Sequence, residues 1–262
     1  MITDDKLIWI YNEAYTFLQQ KVGSNVLHQA LDYYETYKPT ELNQIFRRMV
    51  DSLKNKQGYT NFIAKADEMK DILCAFDPHQ VINTYGNDWE LLLDVYKNTF
   101  GARYKIDPNN KRNAWLMFSK GVLSCAKFLV SFKTVDEFDA FVRSFFFNEY
   151  TIAALPMLLD KEIFGYGFPL ACDFLKELGY TKYGKPDVHL KDIFLQTGIV
   201  DDDSDYEIFK QIVKIGHLVN REPVIVDKIF WLIGSGLFYE SDIKIGRQKE
   251  AFISHVKSHN TD

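Results

Sequence analysis

The chain has 262 residues, of which 47% are hydrophobic and 15% are aromatic. This length and this supply of large apolar side chains exclude a mini-protein and a disordered chain. The net charge of −5 excludes a uniformly basic nucleic-acid-binding protein, although a local basic surface remains compatible with it. No apolar run approaches 18 residues in the sequence, so we expect no membrane-spanning helix.

The three cysteines, Cys74, Cys125 and Cys172, are widely spaced and form no CxxC pair. With this spacing the chain can build neither a zinc ribbon nor a cysteine-ligated iron–sulfur cluster. The odd cysteine count, and an N-terminal segment that is acidic rather than apolar, lead us to expect a protein of the reducing cytoplasm. We therefore predict no metal site.

Apolar residues recur at intervals of three and four along most of the chain, which predicts helices. The first helix follows Thr3 as N-cap, and start signals precede helices at Glu41 and at Pro78. No alternating apolar and polar run indicates a strand, so the predicted fold class is all-α. The other helices are predicted at residues 25–37, 60–73, 88–100, 113–132, 135–147, 150–159, 169–178, 188–196, 204–217, 224–234 and 247–259.

Residues 161–179 contain the most informative pattern of the sequence. A helix is predicted to end near Ile163, and Gly165 and Gly167 permit a tight hairpin with positive φ angles. Pro169 then lies in the first turn of the next helix, where its missing N–H costs nothing. Such a hairpin exposes backbone N–H groups at a helix N-terminus, and this arrangement binds phosphate.

A single carboxylate, that of Asp187, follows Pro186 at the start of another predicted helix. An aspartate in this position is more often an N-cap than a catalyst when it is considered alone. His189 is more often a structural residue or a partner of the carboxylate than a ligand. The residues by themselves therefore leave both roles of Asp187 open.

Two motifs, Gly165-Tyr-Gly-Phe-Pro-Leu-Ala171 and Pro186-Asp-Val-His189, resemble the helix-hairpin-helix DNA glycosylase superfamily. This superfamily includes endonuclease III, the 8-oxoguanine glycosylases and the alkylbase glycosylases. The resemblance covers about residues 155–195, and the helix-hairpin-helix motif itself lies at about 155–180. It implies that residues 1–262 form one glycosylase-like domain with two helical lobes and an active site in the cleft between them.

The resemblance implies a DNA N-glycosylase that removes a damaged or mismatched base, flipped out of double-stranded DNA, in base excision repair. It assigns the catalytic carboxylate to Asp187, which would stabilise the positive charge that develops on the sugar. Bifunctional members place a nucleophilic lysine where this chain has Pro169, so we expect a monofunctional enzyme. Three nearby lysines, Lys161, Lys176 and Lys185, leave a glycosylase/lyase with a displaced lysine as an alternative.

The resemblance also implies where DNA and a cation bind. The hairpin would grip the DNA backbone through Phe164, Gly165, Tyr166, Gly167 and Phe168. Its backbone carbonyls would hold a monovalent cation, as they do in the family, and we predict neither an iron–sulfur cluster nor any other required cofactor.

Two further sets of residues are candidates for contacts with DNA. Lys54, Asn55 and Gln57 lie at a predicted helix end that matches the family's wedging residue, although a solvated helix terminus is an equal alternative. Trp231 and Phe146 are candidates for stacking on a flipped base, although aromatic residues at helical spacing usually belong to the core.

The acidic net charge is the main objection to DNA binding, because affinity for DNA draws on Lys and Arg. Residues 101–133 offset this objection in part, because the segment contains seven basic residues and a single acidic residue, Asp107. A charged helix face is the common alternative for such a segment. A non-catalytic helix-hairpin-helix DNA-binding module and a helical protein scaffold are the rival functions, and we expect a monomer.

Overall fold

The computed structural model describes residues 2–32, 38–56, 59 and 61–259. Over these residues the chain is helical apart from one small sheet, which confirms the all-α prediction. The helices are α1 (Asp4–Val22), α2 (Ser24–Asp32), α3 (Leu42–Lys54), α4 (Pro78–Tyr85), α5 (Trp89–Phe100), α6 (Ala114–Leu129), α7 (Val135–Arg143), α8 (Glu149–Glu162), α9 (Phe168–Glu177), α10 (Val188–Gln196), α11 (Asp205–Leu218), α12 (Pro223–Ser235) and α13 (Lys249–Ser258). None of the described helices is long and apolar enough to cross a lipid bilayer.

The chain divides into two compact units. Unit 1 consists of residues 1–37 and 175–262, and unit 2 consists of residues 38–174. The N-terminal and C-terminal parts of the chain therefore fold together in unit 1, and the middle of the chain forms unit 2.

Local sequence signals explain where many helices begin. The side chains of Thr3, Asp77, Asp88, Asn113 and Thr134 each accept a hydrogen bond from a backbone N–H in the first turn of the helix that follows. These bonds satisfy donors that have no partner within the helix itself. The predicted helix starts at these five residues are therefore confirmed.

The helix predicted over residues 60–73 is wrong. Within residues 61–73 the structure has only a short 3-10 helix, Ala66–Met69. The Glu68 carboxylate accepts the backbone N–H of Lys65 at 2.9 Å and pairs with Arg103 at 2.7 Å. These contacts stabilise one tight turn of this segment rather than a continuous helix.

Two smaller differences concern segment ends. Helix α7 ends at Arg143 rather than near 147, and α2 is described only as far as Asp32, so the rest of the helix predicted over 25–37 lies outside the described residues. A sheet of β1 (Leu237–Phe238) and β2 (Ile243–Lys244) was not predicted. Each strand has two residues, which is too short to show an alternating pattern.

Unit 1 has a single apolar core built around α12. This helix packs against α1, α10, α11 and α13. Residues 226–230 of α12 are all buried, and they include two charged residues, Asp227 and Lys228, which are 0% and 5% exposed and which pair with Lys176 and Glu240, respectively. Charged groups are costly to bury in such surroundings unless they are paired, as both of these residues are.

Unit 2 is organised around α6, which packs against α3, α4 and α5. Four aromatic side chains contact one another between α5 and α6, and Trp115 is 1% exposed. They are Tyr96, Phe100, Trp115 and Phe118. This packing holds α6 in place, and α6 in turn supports the hairpin between α8 and α9.

Candidate functional site

Asp187 is the N-cap of α10. Its Oδ1 accepts hydrogen bonds from the backbone N–H groups of His189 at 2.9 Å and Leu190 at 3.2 Å. In the described part of the chain, Oδ2 of the same carboxylate has no hydrogen-bond partner. One oxygen is therefore fixed by the helix, and the other is available to water or to a bound molecule.

The surroundings of Asp187 favour its protonated form. Burial raises the pKa of this carboxyl above its ordinary value, and the negative charge of Asp227 raises it further. The hydrogen bond from Leu190 and the charges of His189 and Lys176 act in the opposite direction, but they are weaker. In such surroundings a nearby positive charge stabilises the ionised form of Asp187 more than it would stabilise the carboxylate of a solvent-exposed aspartate.

Asp227 is the buried partner in this cluster. Its Oδ2 accepts a hydrogen bond from Lys176 Nζ at 2.7 Å and another from the backbone N–H of Lys185 at 2.8 Å. Its Oδ1 is buried and has no partner among the residues that the structure describes. Asp227 was not among the residues predicted from the sequence, although two adjacent charged residues inside the apolar run 223–235 are a signal that could have indicated it.

Two glycines permit the backbone of this region to pack closely against α11 and α12. A Cβ at position 184 would lie 2.7 Å from Ile212 Cγ2, and a Cβ at Gly234 would lie 2.4 Å from His189 Cβ. Neither approach is compatible with a larger residue unless the structure shifts. The segment before Asp187 and the first turn of α10 are thus held tightly within unit 1.

The hairpin predicted around the two glycines is present in unit 2. Gly165 has a φ of 87°, but Gly167 does not have a positive φ, so only one of the two glycines adopts the predicted conformation. Ser124 on α6 links both sides of the hairpin, because its Oγ accepts from Phe164 N at 2.8 Å and donates to the carbonyl of Glu162 at 3.2 Å.

Among the described residues, the hairpin has two backbone N–H groups without partners and one exposed side chain. The N–H groups of Gly165 and Gly167 have no hydrogen-bond partner in the described ranges. The Tyr166 hydroxyl donates to the carbonyl of Met49 at 3.1 Å, and both Tyr166 and Phe168 are buried. Phe164 is the hairpin residue with an exposed side chain, at 42%. Contacts of Tyr166 and Phe168 with DNA would therefore involve their backbone atoms.

The C-terminal end of α3 lies beside the hairpin. A Cβ at Gly165 would lie 3.6 Å from a methyl group of Leu53, and the next two residues are the wedge candidates Lys54 and Asn55. Asn55 Nδ2 donates to Asp173 on α9 at 3.1 Å, and Lys54 pairs with Asp51 at 3.8 Å. The third candidate, Gln57, lies outside the described residues.

One member of the basic segment 101–133 lies next to the hairpin. Lys120 is one turn before Ser124 on α6, and its Nζ is 4.3 Å from the ring centre of Trp89 and 5.9 Å from that of Phe164. Arg103 pairs with Glu68 elsewhere in unit 2. Lys120 is therefore the candidate from this segment for a contact with DNA beside the hairpin.

The two candidates for a base pocket belong to different units. Trp231 is partly buried in unit 1, on α12 one turn after Asp227, and its ring contacts Tyr239 with the centres 5.8 Å apart. Phe146 is partly buried in the turns that follow α7 in unit 2. Within the described ranges no group of three or more His, Cys, Asp or Glu residues comes together to hold a metal.

No protein-family model matches the chain, and no curated protein is similar to it in sequence. One solved structure is similar in fold, that of the 8-oxoguanine glycosylase/lyase of Methanocaldococcus jannaschii in complex with 15mer DNA containing 8-oxoguanine. The TM-score is 0.55 at 14% sequence identity, and the match covers 86% of this chain and 96% of that chain. The fold expected from the sequence motifs is thereby confirmed.

Proposed function

We propose that this chain, which shares its fold with a DNA glycosylase/lyase, is a monofunctional DNA N-glycosylase that removes a damaged or mismatched base. The proposal rests on the hydrogen bonding of the Asp187 carboxylate. One of its oxygens is fixed by two backbone N–H groups, and the other has no partner among the described residues.

The reaction breaks the bond between the sugar and the base. The bonding electron pair leaves with the base, and positive charge develops on C1′ and the ring oxygen of the sugar. Asp187 would stabilise this charge through its unpaired Oδ2, and would then take a proton from the water that adds to C1′. The target base must first be flipped out of the duplex, since C1′ is otherwise shielded from the enzyme.

The hairpin supplies the contact with the DNA backbone. The N–H groups of Gly165 and Gly167, which have no hydrogen-bond partner in the described ranges, precede α9, and the dipole at the N-terminus of this helix also favours an anion. Lys120 adds a positive charge beside them. The family resemblance further predicts a monovalent cation at the hairpin carbonyls.

The positions of the lysines support a monofunctional reaction. Pro169 has no amine that could attack the sugar. Lys176 is 7% exposed and is held by Asp227, and Lys161 is paired with Asp160 at 3.1 Å. As a displaced nucleophile, Lys176 would have to leave its buried pair with Asp227 before it reacted, whereas the Lys161 side chain is 82% exposed and remains, with Lys185, the nucleophile of the alternative reaction.

The test is the release of free bases from duplex DNA that carries alkylated, oxidised, deaminated and mismatched bases, detected by mass spectrometry. We expect release of at least one base, with no protein–DNA adduct trapped by borohydride. A trapped adduct would instead support a glycosylase/lyase with a displaced lysine. Absence of release from every substrate would contradict the proposal and favour the non-catalytic DNA-binding module.

We predict that Lys120→Gln weakens duplex binding several-fold and lowers the salt dependence of the affinity. Each phosphate contact made by a lysine contributes about one unit to the slope of log K against log salt. The measurement is fluorescence anisotropy with labelled duplex DNA over a range of salt concentrations. Lys97→Gln, an exposed lysine on α5, is the control and should leave the slope unchanged. Equal slopes for Lys120→Gln and the unchanged chain would remove Lys120 from the DNA-binding surface.

A further inference from the structure

We propose that Asp227 is a positioning residue for Asp187: from α12 it orders the segment that carries Asp187 and determines the electrostatic field at its carboxyl group. The effect on base release rests on the proposed function. The effect on Asp187 itself rests only on contacts within unit 1. The effect on base release and the effect on Asp187 can therefore be contradicted by separate results.

Asp227 holds the backbone of the segment that leads to Asp187. Its Oδ2 accepts the N–H of Lys185, and the carbonyl of the same Lys185 accepts the N–H of Asp187 at 2.9 Å. The other end of the segment is held by a bond from Val224 N to the carbonyl of Thr181, at 3.1 Å. Asp187 is thus attached to α12 through a short series of hydrogen bonds that begins at the Asp227 carboxylate.

A buried ion pair is weak evidence of a stabilising role, so the pair of Asp227 with Lys176 calls for a further explanation. Asp227 is fully buried, and α12 is otherwise nearly apolar. Replacing a buried ion pair by apolar residues is often neutral or stabilising, because both charges lose their hydration. An ion pair with Lys176 that adds little to stability, and that lies next to a candidate catalytic group, fits a functional role.

The charge of Asp227 opposes the ionisation of Asp187. Asp227 on α12, Lys176 on α9 and His189 on α10 are the charged or titratable groups that act on it. The carboxylates of Asp187 and Asp227 share the ammonium group of Lys176, and this group is bound directly to Asp227. Asp187 therefore ionises against the charge of Asp227, and its pKa is raised. That repulsion is relieved when positive charge develops on a sugar next to Asp187, so it favours the transition state over the ground state.

Two substitutions separate the roles of geometry and charge. Asp227→Asn retains an oxygen that can accept from both Lys176 and Lys185, and it removes the negative charge. We expect it to lower the pKa of Asp187 and to shift the rising part of the pH–rate profile to lower pH. Asp227→Ala removes the acceptor as well, and we expect it to slow base release by about 10- to 100-fold through misplacement of Asp187.

The experiment follows the side-chain carboxyl carbons of ¹³C-labelled aspartates by NMR as the full-length chain is titrated. The Asp187 signal is assigned by its loss in Asp187→Asn. Asp203→Asn, at an exposed residue before α11, is the control and should not move the Asp187 titration. Because Asp227→Asn leaves a buried lysine without its counter-charge, Lys176→Met with Asp227→Asn is titrated in parallel. The double variant should also lower the pKa, since Asp227 acts more strongly on Asp187 than Lys176 does.

The outcomes distinguish the inference from the proposed function. An unchanged Asp187 titration in both the single and the double variant would overturn the inference, whatever the activity. A shift to lower pH in a chain that releases no base would support the inference and overturn the proposed function. A shift together with a matching displacement of the pH–rate profile would support both.

Discussion

Asp187→Asn is expected to slow base release by about 10²- to 10⁴-fold, the usual range for the loss of a positioned general acid or base. Asparagine caps a helix about as well as aspartate, so the bonds from His189 and Leu190 should persist. The amide lacks the negative charge that would stabilise the developing cation and accept the proton of water. Single-turnover rates of base release at a fixed pH measure the effect.

The same substitution is not expected to destabilise the fold. Because the pKa of Asp187 is raised in the folded chain, the folded state binds its proton more tightly than the unfolded state does. The contribution of this residue to the free energy of unfolding therefore falls as the pH rises from the ordinary aspartate pKa through the raised one. At neutral pH, Asp187→Asn should have a melting temperature equal to or above that of the unchanged chain.

Asp187→Ala is the companion variant for the stability measurement. It removes the cap as well as the charge, and the loss of an N-cap costs about 1 kcal/mol. If Asp187→Asn retains the original rate of base release, then Asp187 is only a helix cap. If Asn and Ala destabilise the chain equally, the capping geometry itself is in error.

Lys176→Met is expected to lower the free energy of unfolding by about 3–5 kcal/mol, because it leaves Asp227 buried without its counter-charge. The Lys176 and Asp227 side chains are only 8% and 1% exposed, so solvent screens the pair very little. Adding Asp227→Asn should restore most of the loss, since neither member of the pair is then charged and the N–H of Lys185 still has an acceptor. Urea unfolding of the two single variants and the double variant completes the thermodynamic cycle.

An exposed ion pair in the same unit is the matched control. Lys182 and Glu222 lie 3.1 Å apart with side chains that are 40% and 41% exposed. Lys182→Met should cost less than about 1 kcal/mol, as exposed pairs usually do. Similar losses for Lys176→Met and Lys182→Met would show that the Asp227 carboxylate is not buried in solution.

The sequence by itself determined the local elements of this protein. The caps at Thr3 and Thr134, the hairpin glycine at 165, Pro169 in the first turn of α9 and the range of α10 could all be predicted. Each depends on residues within a few positions of one another along the chain, so a local pattern is enough. The two motifs at the hairpin and at Asp187 also sufficed to indicate the fold.

Only the tertiary structure decided the surroundings of the candidate site. Asp227 binds a backbone group 42 residues away and a lysine 51 residues away, and no local pattern encodes these distances. The same holds for Lys120, which comes to lie beside the hairpin because α6 packs there. Burial raises the pKa of Asp187, and burial is a property of the packed core. The sequence could therefore name the carboxylate, but only the fold could reveal the charges that act on it.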